Sequence, residues 1–176
     1  MDLKEKFIKG RRVYDGKLLK VHRDVIAMPD GRQKIREVIR HSGASVIVPH
    51  LGNYRFVMVR QFRYALERET LEFPAGRLDV GEDPLICARR ELKEETGYSA
   101  GRWEEMLMIH PAPGYSDEQL WIFKAEELKP GKNNLDSDEL VQVVELSLDE
   151  LMERLSKGKI TDAKTVAALL FLKCWL

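Results

Sequence analysis

Between Gly76 and Tyr98 the chain reads GRLDVGEDPLICARRELKEETGY, and three of its glutamates, Glu91, Glu94 and Glu95, fall within five residues. Pro84 suits the first turn of a helix and Gly97 the left-handed residue that stops one, so a helix is predicted over 85–96. Leu85, Ala88, Leu92 and Thr96 recur at helical spacing and define its core stripe. Glu91 and Glu95 are four apart with Glu94 beside them, which gathers three carboxylates on an adjoining stripe. A like-charge i,i+4 pair costs about 0.2–0.5 kcal/mol, and stability alone would place Lys or Arg at one of these positions. One reading is a solvated face on which Arg89, Arg90 and Lys93 balance the acids. The other is a cation held among them. Hard oxygen donors with no neighbouring His or Cys cluster favour Mg²⁺ or Mn²⁺ over Zn²⁺.

Composition narrows the function classes. The chain has 176 residues, one domain's worth, and 44% are hydrophobic, enough for a core. Lys+Arg and Asp+Glu both total 29, so no basic surplus draws the protein to nucleic acid or an anionic membrane. No apolar run approaches the ~20 residues of a membrane span, and MDLKEKFIKGRR lacks the core of a secretory signal. A soluble, cytoplasmic protein is expected. Cys87 and Cys174 form no CxxC pair and are expected to be buried free thiols. His22, His41, His50 and His110 show no ligand spacing and are expected to be structural or exposed.

The composition breaks near His41-Ser42-Gly43, which divides the chain into a small N-terminal β unit, 1–42, and a larger domain, 43–176. In the first, 18–28 and 33–40 are rich in Val and Ile, and Pro29-Asp30-Gly31 supplies the turn between them. In the second, strands are predicted over 44–50, 54–62, 103–110, 119–125 and 141–146. Ser147-Leu148-Asp149-Glu150 has the capping-box pattern before a helix, and Thr161 is the expected cap of the apolar segment 166–176. Strands and helices in this order predict an α/β sandwich with a mixed sheet, preceded by a small β extension.

The acidic segment resembles the Nudix hydrolase signature, G-x5-E-x7-R-E-U-x-E-E-x-G-U, through Gly76, Glu82, Arg90, Glu91, Leu92, Glu94, Glu95, Gly97 and Tyr98. At roughly 5–7% usage per specified residue, a chance match is on the order of one in ten million. The resemblance implies a Nudix-type α/β/α sandwich and a loop-helix-loop site that hydrolyses a nucleoside diphosphate linked to another group. It implies Glu91 and Glu95 as principal metal ligands, Glu94 as a further ligand or supporting acid, and the Ala75 carbonyl as a backbone ligand. Two or more Mg²⁺ or Mn²⁺ ions are expected, because divalent ions neutralise a diphosphate and lower the pKa of an attacking water. Arg90 then pairs with acids such as Glu82, and Gly76 and Gly97 supply backbone freedom. The base for the water is expected from the acidic loop 134–140: Glu139 first, then Asp138, with Asp136 beside them. Glu94 and Glu95 join Glu139 as the expected catalytic acids.

Substrate choice lies outside this box. Pro113 falls fifteen residues beyond Tyr98, within PAPGYSDE, and is similar to the marker of ADP-ribose pyrophosphatases. QFRY, EFPAG and VYDGKLLKV are similar to that subfamily as well, so the resemblance runs from about Val13 to Leu151. It implies ADP-ribose cleaved to AMP and ribose 5-phosphate, with GDP-mannose, FAD or a catalytically silent ADP-ribose-binding module as alternatives. Arg63, whose planar fork suits phosphate oxygens, Arg40, Pro113 and Tyr14 are the expected substrate contacts. Phe7 and Tyr64 are further candidates to stack on adenine. By analogy with the subfamily, a homodimer is expected.

Overall fold

The computed structural model of the protein describes residues 2–132 and 140–175. The chain forms two compact units, one made of the residues up to Gly43 together with His110–Gln119, the other of Ala44–Ile109 and the chain from Leu120 onward.

The first unit is an antiparallel sheet of three strands in the order β1 (Lys6–Asp15), β2 (Lys20–Ala27), β3 (Gln33–Arg40). The turn between β2 and β3 closes through Met28 N–H to Arg32 O (2.8 Å), with Gly31 at φ +85° where a Cβ would be strained. The sequence predicts β2 and β3 but not β1. Every residue of β1 is exposed, so no alternation of apolar and polar residues marks it. The segment from His110 to Gln119 docks on β3, with Ile39 N–H donating to Tyr115 O (2.7 Å) and Asp117 N–H to Ile39 O (3.3 Å).

The second unit is built on a mixed sheet in the order β10-β5-β4-β9-β8: β4 (Ala44–Gly52), β5 (Arg55–Arg63), β8 (Ser99–Ile109), β9 (Leu120–Lys129) and β10 (Val141–Ser147). Strands β6 (Arg68–Glu72) and β7 (Ala75–Arg77) pair with β5 and β4 respectively. Only β4 and β9 run parallel among the described pairs. Both faces of β4 are covered: Val46 and Val48 face one apolar cluster and Ile47 the other, and all three are fully buried. Helix α1 (Pro84–Thr96) contributes Ala88 and Leu92 to the Ile47 side, packed with Phe123 and Ala125. Helices α2 (Leu148–Ser156) and α3 (Ala163–Trp175) contribute Leu151, Ala168, Leu169 and Leu172 to the other side, packed with Phe56, Met58, Phe73 and Ile122. This is the expected α/β/α layering. Among the described residues no helix is long and apolar enough to cross a membrane.

Several local expectations change. The Ser147–Glu150 capping box forms, but α3 is capped by Asp162 rather than Thr161. Asp162 accepts from Thr165 N–H at Oδ2 (3.0 Å) and from Val166 N–H at its carbonyl (2.9 Å). The Thr161 hydroxyl instead accepts from Arg68 Nη2 (2.9 Å). Cys87 is a buried thiol as expected, whereas Cys174 is exposed near the end of α3. Strand β8 starts at Ser99, four residues before the predicted start, and β9 runs on to Lys129; small residues at 99–101 obscure the first end and the charged run Glu126-Glu127-Leu128-Lys129 the second.

Candidate active site

Three features fix α1 against the loop that precedes it. Asp83 caps the helix, accepting from Leu85 N–H (2.9 Å) and Ile86 N–H (3.2 Å), and Pro84 needs no N–H partner there. Ser45 on β4 donates its hydroxyl to Pro84 O (2.6 Å). At the far end Gly97, at φ +76°, returns its N–H to Lys93 O (2.9 Å). The helix presents Glu91 and Glu95 toward β7, and Glu94 meets Arg90 one turn earlier on the same helix.

The close approach is at Gly76. A Cβ there would lie 1.8 Å from the Glu91 carboxyl carbon and 1.9 and 2.3 Å from its oxygens, so the missing side chain is the space the Glu91 carboxylate fills. Next to it, Ala75 N–H donates to Glu95 Oε2 (3.1 Å), and Glu95 is only 4% exposed. Two carboxylates of α1 thus rest against the Ala75-Gly76 backbone.

Arg90 ties the loop to the helix. Its Nε and Nη2 donate to the two Glu82 oxygens (3.1 and 2.9 Å), its Nη1 to Glu91 Oε1 (2.5 Å) and Glu94 Oε2 (3.1 Å), and Nη2 also to Arg77 O (3.1 Å). Glu82 in turn accepts from Asp79 N–H (2.9 Å). The hydrogen bonds to Glu82, then those to Glu91 and Glu94, raise the Arg90 pKa above its ordinary value against the opposing effect of burial. The same bond to Arg90 lowers the Glu82 pKa. Behind this loop Cys87 is buried, its thiol pushed up to about 11 by burial, and inert as a nucleophile at neutral pH.

One guanidinium is shared by three carboxylates, and the Glu95 carboxylate lies beside them on Ala75 N–H. Among the described residues, no three His, Cys, Asp or Glu side chains stand grouped so as to hold an ion, and Arg90 Nη1 bonds both Glu91 and Glu94. The donor set nevertheless fits a hard divalent cation: carboxylate oxygens of Glu91 and Glu95 lie against a backbone cradle that a Cβ at residue 76 would fill.

A second polar cluster, which the sequence reading did not assemble, surrounds Glu72. Arg63 grips it along one edge of its guanidinium, Nε to Oε1 (2.8 Å) and Nη2 to Oε2 (2.7 Å). Thr70 Oγ1 donates to Oε1 (2.6 Å), and Lys164 on the first turn of α3 donates to Oε2. Burial pushes the Glu72 pKa upward, but the Arg63, Lys164 and Thr70 contacts outweigh it and hold the carboxyl at about 2. Arg63 has its own pKa raised, first by Glu72, and the fields of Asp162 and Glu95 reach it too. The sequence signal was a glutamate between Leu71 and Phe73, in a strand that otherwise turns inward.

The remaining candidates stand elsewhere. Arg40 donates to Asp117 Oδ2 (3.1 Å) and Asp24 Oδ2 (3.2 Å) within the first unit. Pro113 is exposed in the turn closed by Tyr115 N–H to Ala112 O (3.1 Å), and Tyr14 is exposed on β1. Phe7 and Tyr64 are also exposed. Asp136, Asp138 and Glu139 lie outside the described residues.

Comparison with known proteins agrees with this geometry. The model of the NUDIX domain matches residues 39–169. The chain is 38% identical over 171 residues to the methanol dehydrogenase activator of Bacillus methanolicus, covering 96% of this chain and 92% of that one. It is 36% identical over 173 residues to the ADP-ribose pyrophosphatase of Bacillus subtilis (strain 168), covering 97% and 94%. A crystal structure of an ADP compounds hydrolase superposes with a TM-score of 0.89 at 26% identity, covering 100% of this chain and 96% of that one. The box on α1, the sandwich that carries it and these likenesses agree: the chain belongs to the Nudix family.

Proposed function

We propose that the protein is a divalent-metal-dependent pyrophosphatase that hydrolyses ADP-ribose to AMP and ribose 5-phosphate. The observation that carries this reading is the Gly76–Glu91 contact with Glu95 on the neighbouring Ala75 N–H, in a chain alike over nearly its full length to an ADP-ribose pyrophosphatase. Glu91 and Glu95, with Glu94 and the Ala75 carbonyl in support, are the groups that would hold Mg²⁺ or Mn²⁺. When bound, such ions neutralise the diphosphate and make water nucleophilic near neutral pH.

The chain's own residues prepare the rest. Arg90 keeps the carboxylates of Glu82, Glu91 and Glu94 in one place, at the cost of reserving its charge for them rather than for substrate. Arg63, held along one edge by Glu72 and 42% exposed along its side chain, has Nη1 with no acceptor among the described residues, and that edge suits a phosphate oxygen. Glu139 is the proposed base and Asp138 its alternative. Tyr14, Arg40 and Pro113 are proposed substrate contacts from the first unit, and a homodimer is the proposed assembly.

The test is product analysis on ADP-ribose, GDP-mannose and FAD with Mg²⁺ or Mn²⁺. The expected result is AMP released from ADP-ribose with the highest kcat/KM. Faster turnover of GDP-mannose or FAD would replace the substrate but keep the chemistry. Tight ADP-ribose binding with no turnover of any diphosphate would make the protein a silent binding module, against the intact Glu91, Glu94 and Glu95.

A further inference from the structure

Arg63 is useful to an anionic substrate only if Glu72 does not absorb its charge. Glu72 is 2% exposed and accepts from three side chains at once: Arg63 through Nε and Nη2, Thr70 through its hydroxyl, and Lys164 through its ammonium. Lys164 also contacts Asp162 Oδ1 (2.9 Å) and is only 11% exposed along its side chain. Within the group Arg63, Glu72, Lys164 and Asp162, two cations face two anions. Deleting the Lys164 charge leaves a net negative cluster around the guanidinium and removes the partner that holds Glu72 Oε2 from the α3 side, with Arg63 and Thr70 remaining.

We propose that Lys164 is a positioning residue that fixes Glu72 from the α3 side, so that Arg63 offers its open edge to the substrate diphosphate. This rests on the reading of Arg63 as a phosphate contact. The arrangement resembles the way outer partners orient a ligand-bearing side chain. Lys164 touches no substrate; it acts through Glu72 on Arg63. A purely structural role for Lys164 is the weaker account, because α3 is docked independently. Thr165 Oγ1 accepts from Phe73 N–H (2.9 Å), and Ala168, Leu169 and Leu172 are buried in the core.

The experiment compares Lys164→Met, Lys164→Arg, Arg63→Ala and the double variant Arg63→Ala/Lys164→Met. Steady-state hydrolysis of ADP-ribose is read alongside calorimetric binding of ADP-ribose in EDTA, where turnover does not interfere. Lys164→Met is expected to raise KM about tenfold, the scale of one charge-assisted hydrogen bond lost at the substrate. It should change kcat by less than about threefold and weaken binding in EDTA by the same factor as KM. Lys164→Arg, which keeps the charge, should restore most of the affinity. In the Arg63→Ala background, Lys164→Met should add less than about twofold, because both act through one guanidinium. If Lys164→Met does not fold, Lys164→Gln carries the same expectations. Unchanged KM and binding in Lys164→Met, with Arg63→Ala impaired, overturns the role of Lys164 and leaves Arg63 standing. Unchanged KM in Arg63→Ala overturns both. Additive losses in the double variant also overturn the proposal.

Discussion

Replacing Gly76 by Ala adds one methyl group at the point where the box is tightest. The new Cβ would lie 1.8 Å from the Glu91 carboxyl carbon, where carbon atoms ordinarily rest about 3.5–4.0 Å apart, so the carboxylate must retreat by roughly 2 Å. The retreat costs little in folding, because only the far end of a flexible side chain moves. Gly76 lies in β7 without a positive φ, so Ala fits the backbone, and the loss of unfolded-state freedom returns about 0.4–1 kcal/mol. Stability should therefore stay within about 1 kcal/mol of the parent, a Tm change within roughly 4 °C for a chain of this size. Function should not survive as well. A misplacement of about 1 Å in a catalytic arrangement costs on the order of 100-fold, so kcat/KM for ADP-ribose should fall at least that far. The Mg²⁺ concentration for half-maximal activity should rise in parallel. The assays are AMP release across a magnesium titration and a thermal melt of the same preparation. Activity within threefold of the parent at an unchanged Tm would show that the Glu91 carboxylate does not need the space at residue 76.

Glu95→Gln keeps the shape and the acceptor for Ala75 N–H but removes the charge, and turnover should drop by at least ~100-fold; full activity with Mg²⁺ would show the assigned ligand set to be wrong. Arg90→Met leaves Glu82, Glu91 and Glu94 without their common cation, which should destabilise the protein by about 2–4 kcal/mol in EDTA. Mg²⁺ should recover part of that in melting curves, and a Tm indifferent to Mg²⁺ would separate these acids from cation binding. Glu72 has its pKa held at about 2 against an ordinary 4.5, so its stabilising contribution is complete above pH 4.5 and is lost as the pH falls toward 2. The difference corresponds to about 3 kcal/mol. Urea unfolding between pH 6 and pH 2 should show that much less pH dependence in Glu72→Gln, and equal slopes would mean that Glu72 is not the titrating group.

What could be read from the sequence divides by distance along the chain. Pro84, Gly97, the Leu85–Leu92 stripe and the glutamates of α1 all belong to one helix and its cap, so helical geometry places them before any tertiary contact exists. Gly76 and Glu82 are close enough to that helix for their spacing to imply a loop folding back on it. Strand β1 could not be recognised, since period-two patterning arises only when one face is buried and none of its residues is. The pairing of His110–Gln119 with β3 also leaves no local mark, being closed by backbone bonds between Ile39 and Tyr115 or Asp117. At the start of α3, Thr161 and Asp162 stand side by side as possible caps; Asp162 takes the helix N–H, and the Thr161 hydroxyl accepts from Arg68, a partner far away in the chain that local spacing does not reveal. Glu72 is the instructive case. A carboxylate between Leu71 and Phe73 in an inward-turning strand announces that a buried charge must find a cation, because leaving it unpaired is prohibitively costly. It cannot announce which cation: Arg63 is nine residues away and Lys164 ninety-two. Local spacing thus specifies the acids of the box, while the cations that partner the buried Glu72 are assigned by the fold.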